Sequence, residues 1–357
     1  MRGAYIINSV EGGGAALPVP DVTRVMREAG HEVTVLALTR RDGKAVAPME
    51  AAGLEVRVRA GGRTDHLAAL RWLDAEIARL RPTHLWTSLS RATLLGQIVG
   101  ARRGVPVISW QHSARLKPAN ARLLRLFRNR SQLWIADSAS VAAQTRATLG
   151  IAPDRLAIWP IFRADPAFPT ALPWRSGEPV RIGSLGRLHP VKNYDVLCAA
   201  VALLRQRSDL PPFSVVIGGE GEERARLEGL IARDGLPVTL AGYVADPAAF
   251  LTGLHLYTQP SRWEGFCLAA HEAMLAGLPI VASEAGEIAR TVTPAFGRIV
   301  PPGDARALAD ALAGLLRAPD QLAAKGRTAR ARVLDLFNAE NFEAQGRAIL
   351  ARAADLT

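Results

Sequence analysis

The chain has 357 residues, 49% apolar and 22% charged, which is ordinary globular usage, excludes disorder and collagen-like repeats, and is long enough for two domains. No apolar run approaches the ~18 residues of a membrane-spanning helix, and the two cysteines, Cys198 and Cys267, form neither a CxxC nor a zinc spacing. The net charge of +11 is placed unevenly: residues 1–165 hold 24 Lys and Arg against 13 Asp and Glu, while residues 166–357 hold 20 of each.

Met1–Ile7 runs straight into a strand-like stretch, so no secretory signal is expected. Buried strands are predicted at Ala4–Val10, Val33–Leu38, His84–Thr87, Pro106–Trp110 and Leu133–Ala136. Helices are predicted near 66–80, 91–103, 118–129 and 139–149. This alternation implies βαβ units and a parallel sheet. Five prolines between 160 and 179 break the pattern, which reads as an interdomain linker. Strands then recur at Val180–Leu185, Phe213–Ile217, Val238–Leu240, His255–Thr258, Pro279–Ala282 and Arg298–Val300. The helices among them are expected at 191–206, 221–234, 265–276 and 304–317, with two more from 319 to 354. The expected domains are 1–162, a linker at 163–179, 180–337, and a C-terminal helix at 338–357 that packs back on the first domain. Open α/β domains bind ligands at the carboxyl ends of their strands, so a cleft between two of them is the expected site.

Four segments carry chemistry. The first is the glycine loop Gly12-Gly13-Gly14 after the first strand. A dinucleotide fingerprint fails there, because Leu17 stands where Gly or Ala is required and no acid ends the second strand. The loop is either a close approach to a ligand or a plain tight turn. The second is Gly186-Arg187-Leu188-His189-Pro190-Val191-Lys192-Asn193, where a guanidinium and an ammonium five residues apart suit a diphosphate. A solvated helix start explains it equally well. The third is Gly218-Gly219-Glu220-Gly221, by itself an ordinary strand-to-helix turn.

The fourth is Pro260-Ser261-Arg262-Trp263-Glu264-Gly265-Phe266-Cys267, continuing to His271-Glu272-Ala273-Met274. Glu264 and Glu272 lie eight residues apart, about two helical turns, which would set both carboxylates on one face. Free N–H groups of Gly265 and Phe266 at the helix start would suit a phosphate or sugar oxygen. Glu272 sits among apolar residues and needs hydroxyls or cations; a ribose diol or a salt bridge would serve. The remaining histidines show no metal-ligand spacing, and no acidic pair of DxD type lies near these motifs.

Taken together these segments resemble the GT-B nucleotide-sugar transferases of glycosyltransferase family 4 (glycosyl transferases group 1). The likeness is strong over about 180–317 and looser before it. It implies an α/β GT-B fold, two Rossmann-like domains with parallel sheets facing across a cleft. It implies that Arg187 and Lys192 bind the donor diphosphate and Glu272 the ribose hydroxyls. Glu264 and the backbone of Gly265 and Phe266 would bind the transferred sugar, with Gly186, Gly219 and Cys267 in the same substrate site. His112 would reach the sugar from the other domain, and Gly12, Gly13 and Gly14 would face the phosphate and the acceptor. Departures from the family pattern are Asn193 for the frequent Gly, Trp159-Pro160-Ile161-Phe162 at the hinge, Leu254-His255 for Ala-Asp, and no Glu-Arg pair after Gly14.

The expected activity is therefore retaining, metal-independent, hexosyl-type transfer, without cofactor, from a UDP- or GDP-type sugar. The expected acceptor is a lipid-linked or polysaccharide glycan of cell-envelope biosynthesis. A nucleotide-sugar epimerase or hydrolase is the alternative. A non-enzymatic nucleic-acid-binding protein is a third reading, prompted by the basic first half; aromatic content of 6% and the lack of a recognisable module speak against it. No acid and eleven bases separate Glu76 from Asp137. Within that stretch, 115–130 reads as a basic amphipathic helix with Leu123, Leu124, Leu126 and Phe127 on one side and Arg122, Arg125 and Arg128 on the other. It predicts a cytoplasmic protein, peripheral on the inner face of the membrane through an anionic lipid surface.

Overall fold

The structure, a computed structural model, describes residues 1–113 and 115–356. The chain divides into two compact units, Met1–Arg163 with the chain from Ala339 onward, and Ala164–Asn338. The first unit holds β1 (Arg2–Ile7), β2 (Glu32–Ala37), β3 (Glu55–Val58), β4 (His84–Ser88), β5 (Val107–Gln111), β6 (Leu133–Ala136) and β7 (Leu156–Ile158). They form one sheet in the order β3-β2-β1-β4-β5-β6-β7, every pair parallel. Its helices are α1 (Val19–Glu28), α2 (Val46–Ala51), α3 (His66–Leu80), α4 (Ser90–Arg103), α5 (Pro118–Phe127) and α6 (Ala139–Leu149).

The second unit holds β8 (Val180–Leu185), β9 (Phe213–Gly218), β10 (Val238–Gly242), β11 (Leu256–Gln259), β12 (Ile280–Ser283) and β13 (Gly297–Val300). This parallel sheet runs β10-β9-β8-β11-β12-β13. Its helices are α7 (Tyr194–Leu204), α8 (Arg224–Asp234), α9 (Pro247–Thr252), α10 (Leu268–Leu275), α11 (Ile288–Thr291), α12 (Ala305–Leu316) and α13 (Leu322–Leu336). The last helix, α14 (Ala339–Ala354), belongs to the first unit.

Central strands are covered on both faces: Gly3–Ile7, His84–Ser88 and Val107–Gln111 are buried throughout, including the polar His84, Thr87, Ser88, Ser109 and Gln111. The strands absent from the sequence reading, β3 and β7, are the two edges of the first sheet. Glu55 and Arg57 sit on β3, and β7 has three residues. Short, charged edges carry little apolar signal. Helix α14 buries Phe342, Ile349, Leu350 and Ala353 in the core that also holds Val22, Val25 and Met26 of α1. Trp159 Nε1 donates to the Phe342 carbonyl at 3.0 Å, and the His84 ring meets the Ala353 carbonyl at 2.9 Å.

The proline-rich stretch expected as a linker packs along the second unit. The Ala164 N–H donates to the Phe337 carbonyl at 2.7 Å and the Ala171 N–H to that of Ala276 at 2.8 Å. Trp174 lies against the core, its Nε1 donating to the Glu178 carbonyl at 2.8 Å. Prolines bar this segment from a sheet, yet the N–H groups of Ala164, Ala167, Phe168, Ala171, Arg175 and Glu178 find partners.

In each sheet the strand order reverses once: between β1 and β4, and between β8 and β11. Ligand crevices form at such switch points, beyond the carboxyl ends of the strands. In the second unit, α13 crosses closely over the turn after α10, where a Cβ on Gly326 would collide with the Gly277 carbonyl. Gly326→Ala is expected to cost ~1–3 kcal/mol, because a backbone carbonyl cannot swing aside. Thermal and urea unfolding will show the loss; unchanged stability would mean that α13 can back away freely.

Candidate functional site

The loops after β8, β9, β11 and β12 converge in the second unit. Gly219 has φ +139, and a Cβ there would strike the Gly186 carbonyl, so the two glycine turns touch backbone to backbone. A Cβ on Gly286 would likewise strike the Gly265 carbonyl, and the Glu287 N–H donates to that carbonyl at 3.0 Å. The Arg262 N–H donates to the Val191 carbonyl at 2.8 Å, and Arg262 Nε to Asn193 Oδ1 at 2.9 Å. These contacts bring the second, third and fourth motifs into one place.

At their meeting point Lys192 Nζ lies 2.7 Å from Glu264 Oε1. The same oxygen accepts from Ser261 Oγ at 2.5 Å and from Gln259 Nε2 at 3.4 Å. A directional chain leads into it. The Leu185 N–H donates to the Tyr257 hydroxyl at 3.0 Å, which donates to Gln259 Oε1 at 2.9 Å; Gln259 Nε2 donates to Ser261 Oγ at 2.9 Å. Tyr257, Gln259 and Ser261 are fully buried. Burial works against the Lys192 charge, but Glu264 more than offsets it and holds the ammonium above the usual lysine range. Burial, then the Glu264 carboxylate, pushes the Cys267 thiol well up, which keeps it in the neutral thiol form.

Glu264 is not on the helix. α10 begins at Leu268, after Cys267 in a left-handed conformation (φ 66). The two carboxylates therefore do not share a helical face; a folded loop, not a 3.6-residue period, places Glu264. Phe266 has its ring in the core, 4.1 Å from the His271 ring and 5.0 Å from that of Phe337. Only its backbone is available to a ligand. His271 is fully buried, with Nδ1 2.9 Å from the Cys267 carbonyl and Nε2 3.0 Å from Thr291 Oγ1. Burial lowers its pKa to about 4, so it is neutral and structural.

Arg187 is exposed just past Gly186 and has no hydrogen bond or ion pair among the described residues. Glu272 on α10 is half-buried and likewise unpartnered among the described residues. No group of three or more His, Cys, Asp or Glu among the described residues is placed to hold a metal ion.

In the first unit, His112 follows β5. Its Nδ1 lies 2.9 Å from Asp137 Oδ1 and its Nε2 2.8 Å from Ser88 Oγ. Neither partner is marked in the sequence: Asp137 sits 25 residues on, just past the end of β6, and no local pattern links them. The glycine loop is a hydrogen-bonded turn. The Gly12 N–H donates to Asp42 Oδ1 at 3.0 Å, and the Ala16 N–H to the Gly13 carbonyl at 3.0 Å. Helix α5 departs from the expected single apolar side. Leu124 alone is fully buried, against Trp134, Leu149 and Ile151. Leu123 (44% exposed) and Leu126 (73%) face solvent beside Arg122 and Arg125.

Burial raises the Glu272 carboxyl to about 7, against ~4.3 for an unperturbed glutamate. Between these values the folded state keeps a proton that the unfolded state has lost. Stability is thus full below about pH 4 and falls as pH rises toward 7. Glu272→Gln should make the ligand-free protein more stable than wild type at pH 8, on the order of 2–3 kcal/mol, and no more stable at pH 4. Urea titrations at the two pH values test this; equal gains at both would remove the ionisation cost.

Residues 172–332 match the family model described as glycosyl transferases group 1, and residues 12–162 that of glycosyltransferase family 4. The chain is 35% identical over 170 residues to an MMP alpha-(1->4)-mannosyltransferase of Mycolicibacterium hassiacum, covering 46% of this chain and 41% of that protein. It is 30% identical over 181 residues to the lipopolysaccharide core biosynthesis mannosyltransferase LpsB of Rhizobium meliloti, covering 48% and 50%. The chain thus spans about half or less of the length of these curated relatives. Among solved structures, Anabaena HepE with UDP-glucose superposes with TM-score 0.86 at 21% identity, over 99% of this chain and 100% of that one. Sucrose-phosphate synthase of Thermosynechococcus elongatus does so with TM-score 0.83 at 21% identity, over 100% of both. Two family models that follow one another along most of the chain, over a fold shared end to end with solved relatives, place it in glycosyltransferase family 4, with the GT-B fold.

Proposed function

We propose that the chain is a retaining glycosyltransferase that moves a sugar from a nucleoside diphosphate sugar to a glycan or lipid-linked acceptor. One observation carries this reading: the strand-end loops of the second unit and the helix α10 that follows one of them carry an exposed guanidinium, an ammonium held by Glu264, and a half-buried carboxyl without a partner among the described residues. Relatives named as GDP-mannose-dependent mannosyltransferases, and a solved neighbour holding UDP-glucose, support a nucleotide-sugar donor. A relative named phosphatidyl-myo-inositol mannosyltransferase and the lipopolysaccharide core enzyme support the acceptor class.

Arg187 grips the diphosphate with its planar fork and Lys192 as a point charge. An ammonium has three N–H donors, so Lys192 can keep Glu264 and still face phosphate. The Glu272 carboxylate accepts the ribose hydroxyls. Glu264, with the Gly265 and Phe266 amides, holds the sugar, Gly186, Gly219 and Cys267 lie in the same substrate site, and His112 touches that sugar. Gly12–Gly14 serve the acceptor. As the glycosidic bond breaks, charge grows on the β-phosphate, and preorganised cations stabilise it. The departing phosphate takes the acceptor's proton on the face it leaves, so the anomeric configuration is kept. These cations do the neutralising, and turnover is expected to persist in EDTA.

Lys192→Ala and Arg187→Ala should each lower kcat/KM about ten- to a hundredfold or more, since one charge-assisted hydrogen bond is worth ~1.5–3 kcal/mol. Glu272→Gln should weaken the bare nucleoside diphosphate in calorimetry, and Glu264→Gln should spare it while harming transfer. Wild-type turnover in either alanine variant, or equal effects of both glutamine changes on bare-nucleotide affinity, would defeat the assignment.

We further propose that 115–130 docks on an anionic membrane. The support is the solvent-facing Leu123 and Leu126 interleaved with Arg122 and Arg125. Each base near such a surface adds ~1 kcal/mol at most, so attachment would be reversible and salt-sensitive. Wild type should sediment with anionic liposomes at low salt, and an Arg122/Arg125/Arg128→Glu variant should not. Equal binding by both, or by neither, would leave the basic face to a soluble acidic acceptor.

A further inference from the structure

Three neighbouring strands of the first sheet, β4, β5 and β6, each place one polar residue at the carboxyl end: Ser88, His112 and Asp137. Ser88 pairs in register with Trp110, and Gln111 with Ala136, so the three side chains meet beyond the sheet edge. His112 Nδ1 lies 2.9 Å from Asp137 Oδ1 and 3.1 Å from Oδ2. Trp110 Nε1 donates to Oδ1 at 2.6 Å. On the other side of the ring, Ser88 Oγ lies 2.8 Å from Nε2. Trp110 also stacks on the imidazole, centroids 5.7 Å apart and planes 18° apart, and Trp159 stacks behind Trp110 at 5.1 Å. The His112 side chain is 6% exposed and that of Asp137 3%.

An ionised carboxylate only accepts hydrogen bonds, and an indole only donates. With Asp137 facing Nδ1 at two distances, Nδ1 must carry the proton. In the neutral imidazole Nε2 is then a lone pair, to which the Ser88 hydroxyl can donate. The indole stack fixes the plane of the ring and the carboxylate fixes its rotation. Ser, His and Asp in this order also form the geometry of a nucleophilic triad. Ser88, however, is fully buried, so no substrate carbonyl or phosphoryl centre reaches its oxygen.

We infer that Asp137 and Ser88 are positioning residues that hold His112 as its Nδ1–H tautomer, presenting Nε2 as an acceptor for a hydroxyl of the transferred sugar. This rests on the reading above that His112 meets the sugar. It adds a chemical preference: the sugar group that His112 meets is a hydrogen-bond donor, and that hydroxyl takes over or shares the lone pair that Ser88 holds. An isolated imidazole would present either nitrogen; the Asp137 carboxylate removes the choice before substrate arrives.

The test uses the full chain with ring-15N-labelled histidine, the His112 signals being assigned with His112→Gln. Wild type should show a protonated Nδ1 and a bare Nε2. Ser88→Ala should keep that tautomer, and Asp137→Ala should lose it to a mixture or to Nε2–H. In turnover assays Asp137→Ala and His112→Gln should each lower kcat at least about tenfold, equivalent to ~1.4 kcal/mol in the barrier. Their double variant should be no slower than the slower single one, because Asp137 acts through His112. Nucleoside diphosphate affinity should not change. If Asp137→Ala does not fold, Asp137→Asn replaces it: its amide N–H2 can donate to Nδ1 while its one oxygen keeps the Trp110 bond, so the ring should shift toward Nε2–H and turnover should fall with it. An Nε2–H tautomer in wild type, an unchanged tautomer in Asp137→Ala, or additive losses in the double variant would overturn the positioning role. Covalent labelling of Ser88 by a fluorophosphonate would overturn it in favour of a nucleophile. Full turnover in His112→Gln with the expected tautomers would instead sink the sugar contact, leaving the tautomer assignment intact.

Discussion

Much of the second unit's site depends on one ion pair, Lys192 to Glu264. It ties the turn after β8 to the loop after β11, across the point where the strand order reverses. Taking two charges out of water is costly, and a buried pair persists only where further hydrogen bonds satisfy it. Here the further donors are Ser261 and Gln259, and Gln259 is itself oriented by Tyr257, which is anchored on the Leu185 backbone. The chain runs sideways between two neighbouring strands, so the sheet itself sets the direction of the Glu264 carboxylate. A carboxylate aimed in this way keeps Lys192 charged and in place before any ligand binds, which is the sense in which such a site is preorganised.

That arrangement is held at a cost in backbone conformation. Among the described residues, five other than glycine have positive φ: Arg41, Arg81, Leu89, Asn193 and Cys267. Asn193 follows Lys192 directly, and Cys267 ends the loop that carries Glu264. Leu89 follows Ser88, the residue against His112. Such conformations cost ~1–3 kcal/mol each and survive only where the surroundings over-determine them. The surroundings here are identifiable. Arg262 holds the Asn193 side chain, and His271 holds the Cys267 carbonyl. His271, which looked incidental in the sequence, thus braces the loop beneath the proposed sugar site from a position with no access to substrate.

What the sequence made legible follows from how each feature is encoded. Buried central strands such as Leu133–Ala136 and Val180–Leu185 announce themselves as short apolar runs, and their bounds agree with the structure. Helices 66–80 and 139–149 do so through their period. Edge strands β3 and β7 do not, because one open side needs little apolar surface. The helix after the glycine loop starts at Val19, between Pro18 and Pro20, where an early proline is harmless. The motifs of the second unit were legible because they are contiguous segments with distinctive residues. The partners of His112 were not: Ser88, His112 and Asp137 are joined by strand order, and strand order is a property of the whole sheet. Likewise the eight-residue spacing of Glu264 and Glu272 suggested a helix face, whereas a left-handed Cys267 begins the helix four residues later than Glu264.

The uneven charge of the chain takes on meaning once pairing is considered. In the second unit, arginines find acids: Arg226 with Glu223 and Asp195, Arg317 with Asp209, Arg224 with Glu228. Even the half-buried Lys192 has its carboxylate. In the first unit, Arg59 and Arg91 share one carboxylate, Asp65, which they hold far below the usual aspartate range. On α5 the balance is absent altogether. Arg128 turns onto the Arg125 carbonyl and Arg130 onto the Phe127 ring, and no ion pair among the described residues involves Arg122, Arg125, Arg128 or Arg130. A helix that merely covered its own sheet would need Leu124, which it buries, and nothing from Leu123 or Leu126, which it leaves in water. Unneutralised cations set beside exposed leucines are the feature on which the proposed docking to an anionic lipid surface rests.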